Sequence, residues 1–175
     1  MPSMIAGDGD PAAMAAPPHP IRLAADRRQS PAACAISRGV ARLLKSHAMA
    51  AVSEVALANG RRADIVGLSD NGSIWIVEIK SSLQDFRADQ KWPEYRDFCD
   101  RFFFAVLPDF PREVLPAQTG LIIADHHGGD IVAHAPEHKI PSWRRQRMTL
   151  QVARTAALRL QAAMDPVGFP LPPYL

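Results

Sequence analysis

Two apolar segments in the middle of the chain, 61–68 and 74–80, have the composition of buried β-strands but carry charged residues. The first contains Asp64, and the second contains Glu78 and Lys80 two positions apart. Burying a charged group is costly unless the group is paired or binds a metal ion. The two segments therefore predict strands whose charged side chains have a chemical role.

The overall composition is that of an ordinary globular protein. With 175 residues, of which 47% are hydrophobic, the chain is long enough for one domain with an apolar core. A net charge of +2 does not by itself indicate a nucleic-acid partner. Cys34 and Cys99 lie in apolar patterns and are expected to be reduced core residues, which favours the cytoplasm. We expect neither a membrane span nor a secretory signal.

Composition also predicts the domain boundaries. Residues 1–30 are rich in Ala and Pro without periodicity, which predicts a disordered tail. Residues 31–164 are expected to form a single domain. Residues 165–175 are expected to be a proline-rich, non-helical tail.

Hydrophobic periodicity predicts an α/β fold with a mixed central sheet flanked by helices. The core order is helix, three strands, helix, strand, followed by a hairpin and a last helix. The expected helices are 31–46, a short turn at 81–88, 93–100 and a helix from 141, and the expected strands are 52–57, 61–68, 73–80, 102–107, 121–124 and 131–135.

The turns predict which charged residues face one another. If residues 70–72 form a three-residue loop with the final glycine in the left-handed conformation, Asp64 lies directly opposite Glu78. The same geometry at 58–60 places Glu54 opposite Asp64. A two-residue loop at either turn would instead move Asp64 to the face opposite that partner.

Three carboxylates in one row repel each other, and a divalent cation between them would offset that repulsion. Lys80 points to the same face as Glu78, because side chains alternate along a strand. Carboxylates beside a lysine are suited to Mg²⁺-assisted cleavage of a phosphodiester. The alternative is that the carboxylates form plain salt bridges with Arg61, Arg62 and Lys80.

The residues Glu54, Arg-Ala-Asp64 and Glu78-Ile-Lys80 resemble the pattern of the PD-(D/E)XK nuclease superfamily, in which Ala63 here replaces the proline. A wider set, spread over roughly residues 34–160, resembles the MmcB-related DNA repair family of bacteria. That set comprises Arg62-Ala63-Asp64-Ile65-Val66-Gly67, Val77-Glu78-Ile79-Lys80-Ser81-Ser82, Asp85-Phe86, Asp89-Gln90-Lys91-Trp92, Tyr95 and Cys99-Asp100-Arg101-Phe102.

The resemblance implies a restriction-endonuclease-like core (αβββαβ) with an extra C-terminal hairpin and helix. It implies a Mg²⁺- or Mn²⁺-dependent DNA endonuclease-like protein of bacterial DNA repair. Asp64 and Glu78 would hold the metal ion with the Ile79 carbonyl, and Glu54 would be a further ligand. Lys80 would orient or activate the attacking water and offset charge in the transition state.

Residues expected to contact DNA surround this site: Gln90, Lys91, Tyr95, Arg61, Arg62 and Ser82. The last helix carries five arginines and no acidic residue, so it forms either a phosphate-binding stripe or a solvated basic face. Asp85, Asp89 and Asp97 are expected on a solvated face, and Trp92 is expected to be a packing anchor.

Two other functional classes stay open from the sequence. One is a non-catalytic DNA-binding or scaffold protein that keeps the nuclease fold and works with other repair proteins. The other is an RNA-processing nuclease, because the metal chemistry does not read the sugar.

Overall fold

A six-stranded mixed sheet forms the centre of the computed structural model, which describes residues 30–165 and 167–169. The tails expected at 1–30 and 165–175 therefore lie almost entirely outside the described residues. The elements are α1 (Pro31–Ser46), β1 (Met49–Ala56), β2 (Arg62–Ser69), β3 (Ile74–Lys80), α2 (Leu83–Ala88), a 3₁₀ helix (Trp92–Phe98), β4 (Arg101–Val106), a 3₁₀ turn (Arg112–Val114), β5 (Gly120–Ala124), β6 (Gly129–Ala133) and α3 (Ser142–Met164).

The strands lie side by side in chain order, from β1 to β6. The pairs β1–β2, β2–β3 and β5–β6 are antiparallel, whereas β3–β4 and β4–β5 are parallel. The mixed central sheet and the C-terminal hairpin and helix agree with the sequence prediction. None of the described helices is both long enough and apolar enough to cross a bilayer.

The first helix covers one face of the sheet. The Ser30 hydroxyl accepts a hydrogen bond from the Ala33 amide at 3.1 Å, and Pro31 occupies the first turn, as the sequence predicts. Ile36, Val40 and the leucines at 43–44 form the buried stripe of α1. This stripe packs against the strand residues of that face in one apolar cluster.

An aromatic cluster fills the other face, beneath α2, the 3₁₀ helix and α3. Trp92 lies 5.8 Å from Phe102, measured between ring centroids, which confirms its expected packing role. The α-helix expected at 93–100 is instead a 3₁₀ helix. The physical reason is packing, because three residues per turn align Trp92, Tyr95 and Phe98 on the core side.

Both hairpins have the register that a three-residue loop predicts. Leu68 pairs with Ile74 in β2–β3, and Ala56 pairs with Arg62 in β1–β2. The last loop residues, Gly60 and Gly72, have φ values of +80° and +81°, a conformation that glycine adopts without strain. The three-residue loops predicted at 58–60 and 70–72 are therefore confirmed.

A buried aspartate ties α3 to the sheet. Asp100 is 4% exposed and accepts hydrogen bonds from the Ile74 amide at 2.8 Å, the Ile140 amide at 3.4 Å and both terminal nitrogens of Arg145 at 2.5 and 2.7 Å. Burial acts to raise the pKa of Asp100, but the bonds from Arg145 and Ile74 outweigh it and hold the pKa below its usual range. Arg145, expected on a basic stripe, is thus a structural residue.

Replacing Asp100 with Asn should lower the free energy of unfolding by about 2–4 kcal/mol, because a buried charge pair is broken. A depressed pKa stabilises the fold above the pKa of the unfolded state, so the loss should be full above about pH 4 and shrink at lower pH. Urea denaturation at pH values above and below about 4 measures this loss of stability. Asp97→Asn, at a mostly exposed carboxylate 3.6 Å from Arg144, is the control and should cost under about 1 kcal/mol.

Candidate active site

The hydrogen bonds between β2 and β3 change from backbone–backbone to backbone–side-chain bonds at Asp64 and Glu78. Regular backbone pairing covers residues 65–68 and 74–77 and ends there. Beyond it, Glu78 Oε1 accepts a hydrogen bond from the Asp64 amide at 3.1 Å, and Asp64 Oδ2 accepts one from the Ile79 amide at 2.8 Å. Two side chains thus replace backbone bonds between the strands, and the two carboxylates face one another as the predicted register requires.

Both carboxylates are largely removed from water. Glu78 is 3% exposed, and burial, followed by the charge of Asp64, raises its pKa well above the ordinary value. Burial also raises the pKa of Asp64 to about 6, with the charge of Glu54 adding to the rise and the Ile79 amide and Lys80 opposing it. The pair is therefore costly to ionise, and a nearby cation would favour ionisation.

Lys80 lies on the same face as Glu78 and is only 4% exposed. Its ammonium nitrogen lies 3.1 Å from Asp89 Oδ2. Burial acts to raise the pKa of Asp89, but the hydrogen bond from Lys80 and the other favourable interactions of this carboxylate together outweigh burial and lower this pKa. Asp89 was expected on a solvated face, and its lysine contact was missed because α2 and a loop separate the two residues in the chain.

Glu54 reaches the same cleft but in an irregular backbone conformation. In the β1–β2 ladder the residues before and after Glu54 pair with those that flank Asp64, but Glu54 and Asp64 are not themselves a ladder pair. Glu54 has a φ of +53°, which lies in the left-handed region. Its carboxylate lies 2.5 Å from Arg62 Nε. Arg159 of α3 donates hydrogen bonds to the Ser53 and Glu54 carbonyls, with a length of 2.9 Å to Glu54. The third carboxylate of the predicted row is thus present, with an arginine beside it.

The residues expected to contact DNA divide into two groups. Tyr95 and Arg62 line the cleft, and the Tyr95 hydroxyl donates to the Arg62 carbonyl at 3.3 Å. The other four lie outside the cleft lining: Gln90, Lys91, Arg61 and Ser82.

Most of these outer residues have local structural contacts. Gln90 donates to the Phe86 carbonyl at 2.7 Å, although the residue is exposed. Arg61 makes two bonds of 2.9 Å to Glu94. Ser82 caps α2 by accepting from the Asp85 amide at 3.1 Å.

The cleft has a volume of about 420 Å³ and a negative charge. Among the described residues, five carboxylates and two cationic side chains line it. The carboxylates belong to Glu54, Asp64, Glu78, Asp85 and Asp89, and the cations to Arg62 and Lys80. Such a cleft repels a phosphate group unless a further cation is present.

Asp64 and Glu78 have the chemistry to hold a hard divalent ion. No group of three or more His, Cys, Asp or Glu side chains within residues 30–165 and 167–169 is arranged to hold a metal ion. Mg²⁺, however, needs only one or two carboxylates and completes its shell with water and substrate oxygens. Asp64 Oδ1 and Glu78 Oε2 are not used in the interstrand bonds. The Ile79 amide points toward β2, and the carbonyl of a strand residue points to the same side as its amide, so the Ile79 carbonyl is the expected third oxygen.

Fold and cleft together define an α/β protein with a buried glutamate, a partly buried aspartate and a buried lysine at the end of adjacent strands. The chain belongs to the MmcB-like family of DNA repair proteins, because the sequence profile of that family matches residues 21–167. A protein of unknown function from Silicibacter pomeroyi has a similar solved structure, with 46% sequence identity and a TM-score of 0.77 over 81% of this chain and 96% of that chain. Comparison with curated proteins gives no match.

Replacing Asp64 with Asn should stabilise the metal-free protein above pH 6. A raised carboxyl pKa favours the fold fully below the unfolded-state value near 4, and this benefit is lost as pH rises through about 6. Asn keeps an acceptor for the Ile79 amide, so we expect a gain of about 2–3 kcal/mol at pH 8 and little difference at pH 4.

Urea denaturation in a chelator at both pH values measures this gain. The matched control is Asp130→Asn, at an exposed carboxylate on β6. A variant at Asp64 that is less stable than wild type at pH 8 would contradict the expectation.

Proposed function

We propose that this chain is a Mg²⁺- or Mn²⁺-dependent DNA phosphodiesterase, an endonuclease-like enzyme of DNA repair with the restriction-endonuclease-like core of the PD-(D/E)XK superfamily. The observation that carries the proposal is the pairing of Asp64, which is partly buried, with Glu78, which is buried, beside the buried Lys80 in one acidic cleft. The membership of a DNA repair family makes DNA the expected substrate.

The topology supports the superfamily assignment. One helix, three antiparallel strands, a further helix and a parallel strand follow one another in the order αβββαβ. Asp64 lies in the second strand, and Glu78 and Lys80 lie at the end of the third. These are the motif positions that the sequence resemblance predicts.

The charge of the cleft gives each residue a role. When bound, the divalent ion offsets the carboxylate charge, attracts the phosphate oxygens and lowers the pKa of a water molecule. Asp64 and Glu78 would hold it through their second oxygens, while their first oxygens stay on the backbone amides that keep both side chains in place. The backbone bonds thus preorganise the carboxylates before substrate binds.

Lys80 would act on the reacting atoms. Asp89 holds its ammonium group inside the cleft, where it can orient the attacking water and offset the negative charge that develops on the phosphoryl oxygens. The water oxygen bonds to phosphorus as the bond to the leaving oxygen breaks. Water loses a proton and the leaving oxygen gains one, so the products are a phosphate end and a hydroxyl end.

Divalent ion binding should depend on pH. Because Asp64 must ionise to act as a ligand and its pKa is about 6, Mn²⁺ should bind more tightly at pH 7.5 than at pH 5, by at least about tenfold. Isothermal titration calorimetry of the wild type at both pH values measures this. Asp64→Asn should lose binding and Asp130→Asn should retain it, and equal binding by all three proteins would place the ion elsewhere.

Cleavage of DNA in the presence of Mg²⁺ or Mn²⁺ tests the proposed activity. Asp64→Asn, Glu78→Gln and Lys80→Met should each lower the rate by about 100-fold or more on duplex, single-stranded, branched or damaged DNA. Asp130→Asn and Lys139→Met, at exposed positions, are matched controls that should cleave normally. Wild-type rates in all three site variants would rule out the mechanism.

A non-catalytic DNA-binding protein is the second candidate, favoured by one observation. Among the described residues that line the cleft, the two cations lie beside carboxylates, Arg62 beside Glu54 and Lys80 beside Asp89. Salt-dependent DNA binding without turnover on any of these substrates would establish it. Faster cleavage of a matched RNA strand would instead indicate an RNA-processing enzyme.

A further inference from the structure

A second groove lies beside the acidic cleft, between the tip of the β1–β2 hairpin and the first half of α3. Its volume is about 430 Å³. Trp143, Phe98, Leu57 and Met148 supply its apolar walls. Trp143 is 55% exposed, so part of its ring is accessible within the groove.

The groove has the opposite charge character to the cleft. Arg144 and Arg147 line it, and none of the described residues that line it is acidic. The Arg144 guanidinium carbon lies 4.9 Å from the Trp143 ring centroid and 5.6 Å from that of Phe98, while Arg147 is exposed. An aromatic surface beside arginines fits a ligand that combines a flat ring with a negative charge.

Two elements connect the groove to the cleft. Tyr95 lines the cleft and Phe98 lines the groove, one turn apart on the same 3₁₀ helix. Along the β1–β2 hairpin, Glu54 lies in the cleft and Leu57 in the groove. Three residues of extended chain span about 10 Å, so a nucleic-acid strand in the cleft has its neighbouring nucleotides within reach of the groove.

We propose that this groove binds an unpaired nucleotide of the DNA strand whose phosphodiester occupies the acidic cleft. The base stacks on Trp143, and its phosphate contacts Arg147. The amides of Asn59 and Gln151, which also line the groove, can bond to a base edge. A base inside a duplex has both faces covered, so only a base outside the stack can use Trp143.

This inference rests on the proposed function, because the strand in the groove is the substrate of the cleft. It adds a substrate class: DNA with a single-stranded segment beside the scissile bond. Binding in a chelator tests it without cleavage, so a failure of the groove and a failure of catalysis give different results.

Tryptophan fluorescence measures the stacking directly. The chain has three tryptophans, of which Trp92 is buried and Trp75 is partly buried, so acrylamide quenching reports chiefly on Trp143. An oligothymidylate of about ten nucleotides, a length typical of single-strand sites, should protect Trp143 from acrylamide. It should bind more tightly than a duplex of equal length.

Trp143→Ala should weaken binding of the oligothymidylate by about tenfold, whereas Trp143→Phe should keep most of it. The control is Leu150→Ala, which removes an apolar side chain that is 60% exposed on the same helix but outside the groove. Its affinity should equal that of the wild type.

A matched pair of arginine variants tests the phosphate contact. Arg147→Gln should weaken binding and lower the slope of log affinity against log salt by about one, because one counterion fewer is released. Arg154→Gln removes an exposed arginine of the same helix outside the groove and should leave the slope unchanged.

Three results would overturn the proposal. One is an unchanged affinity in Trp143→Ala; if Asp64→Asn still abolishes cleavage, the proposed enzyme stands without this subsite. Another is an equal loss in Leu150→Ala and Trp143→Ala, which would indicate that binding depends on α3 in general and not on stacking at Trp143. The third is tighter binding of the matching oligouridylate, which would assign the groove to RNA.

Discussion

The two hydrogen bonds from backbone amides to the carboxylates of Asp64 and Glu78 are the constraint on which the site depends. They extend the β2–β3 pairing beyond the regular ladder and hold two like charges at one place in the sheet. Each bond uses one oxygen of a carboxylate, so both side chains have a set orientation. Because β3 continues into the parallel pairing with β4, the carboxylates are fixed to the rigid centre of the fold.

The same arrangement explains why the cleft would favour a bound cation. Desolvation raises the pKa of both carboxylates, and the charge of Asp64 adds to the rise at Glu78, whereas the charge of Glu54 adds to the rise at Asp64. Lys80 offsets only part of that charge while it also bonds to Asp89. Nearby, α3 contributes arginines to a groove in which none of the described lining residues is acidic. The protein therefore presents an acidic centre and a basic, aromatic flank side by side, which suits a polyanion held at one end by a metal ion.

Much of this arrangement could be predicted from local chemistry. Gly60 and Gly72 sit at the last positions of two loops, and that alone places Asp64 opposite Glu78 through the hairpin register. The left-handed backbone at Glu54 could not be predicted, because Arg159, more than a hundred residues away, holds the adjoining carbonyls. Contacts between distant segments leave no periodic pattern in a sequence.

The sequence by itself determined the α/β class, the hairpin registers and the meeting of Asp64 and Glu78, because strand alternation and turn geometry act over a few residues. Tertiary packing decided which charged residues form ion pairs within the protein. It joined Arg145 to the buried Asp100 and Lys80 to Asp89, and it left Trp143 exposed beside the cleft. The physical reason is that pairing and burial depend on which surfaces meet, and the contacts of α3 join segments that lie far apart in the sequence.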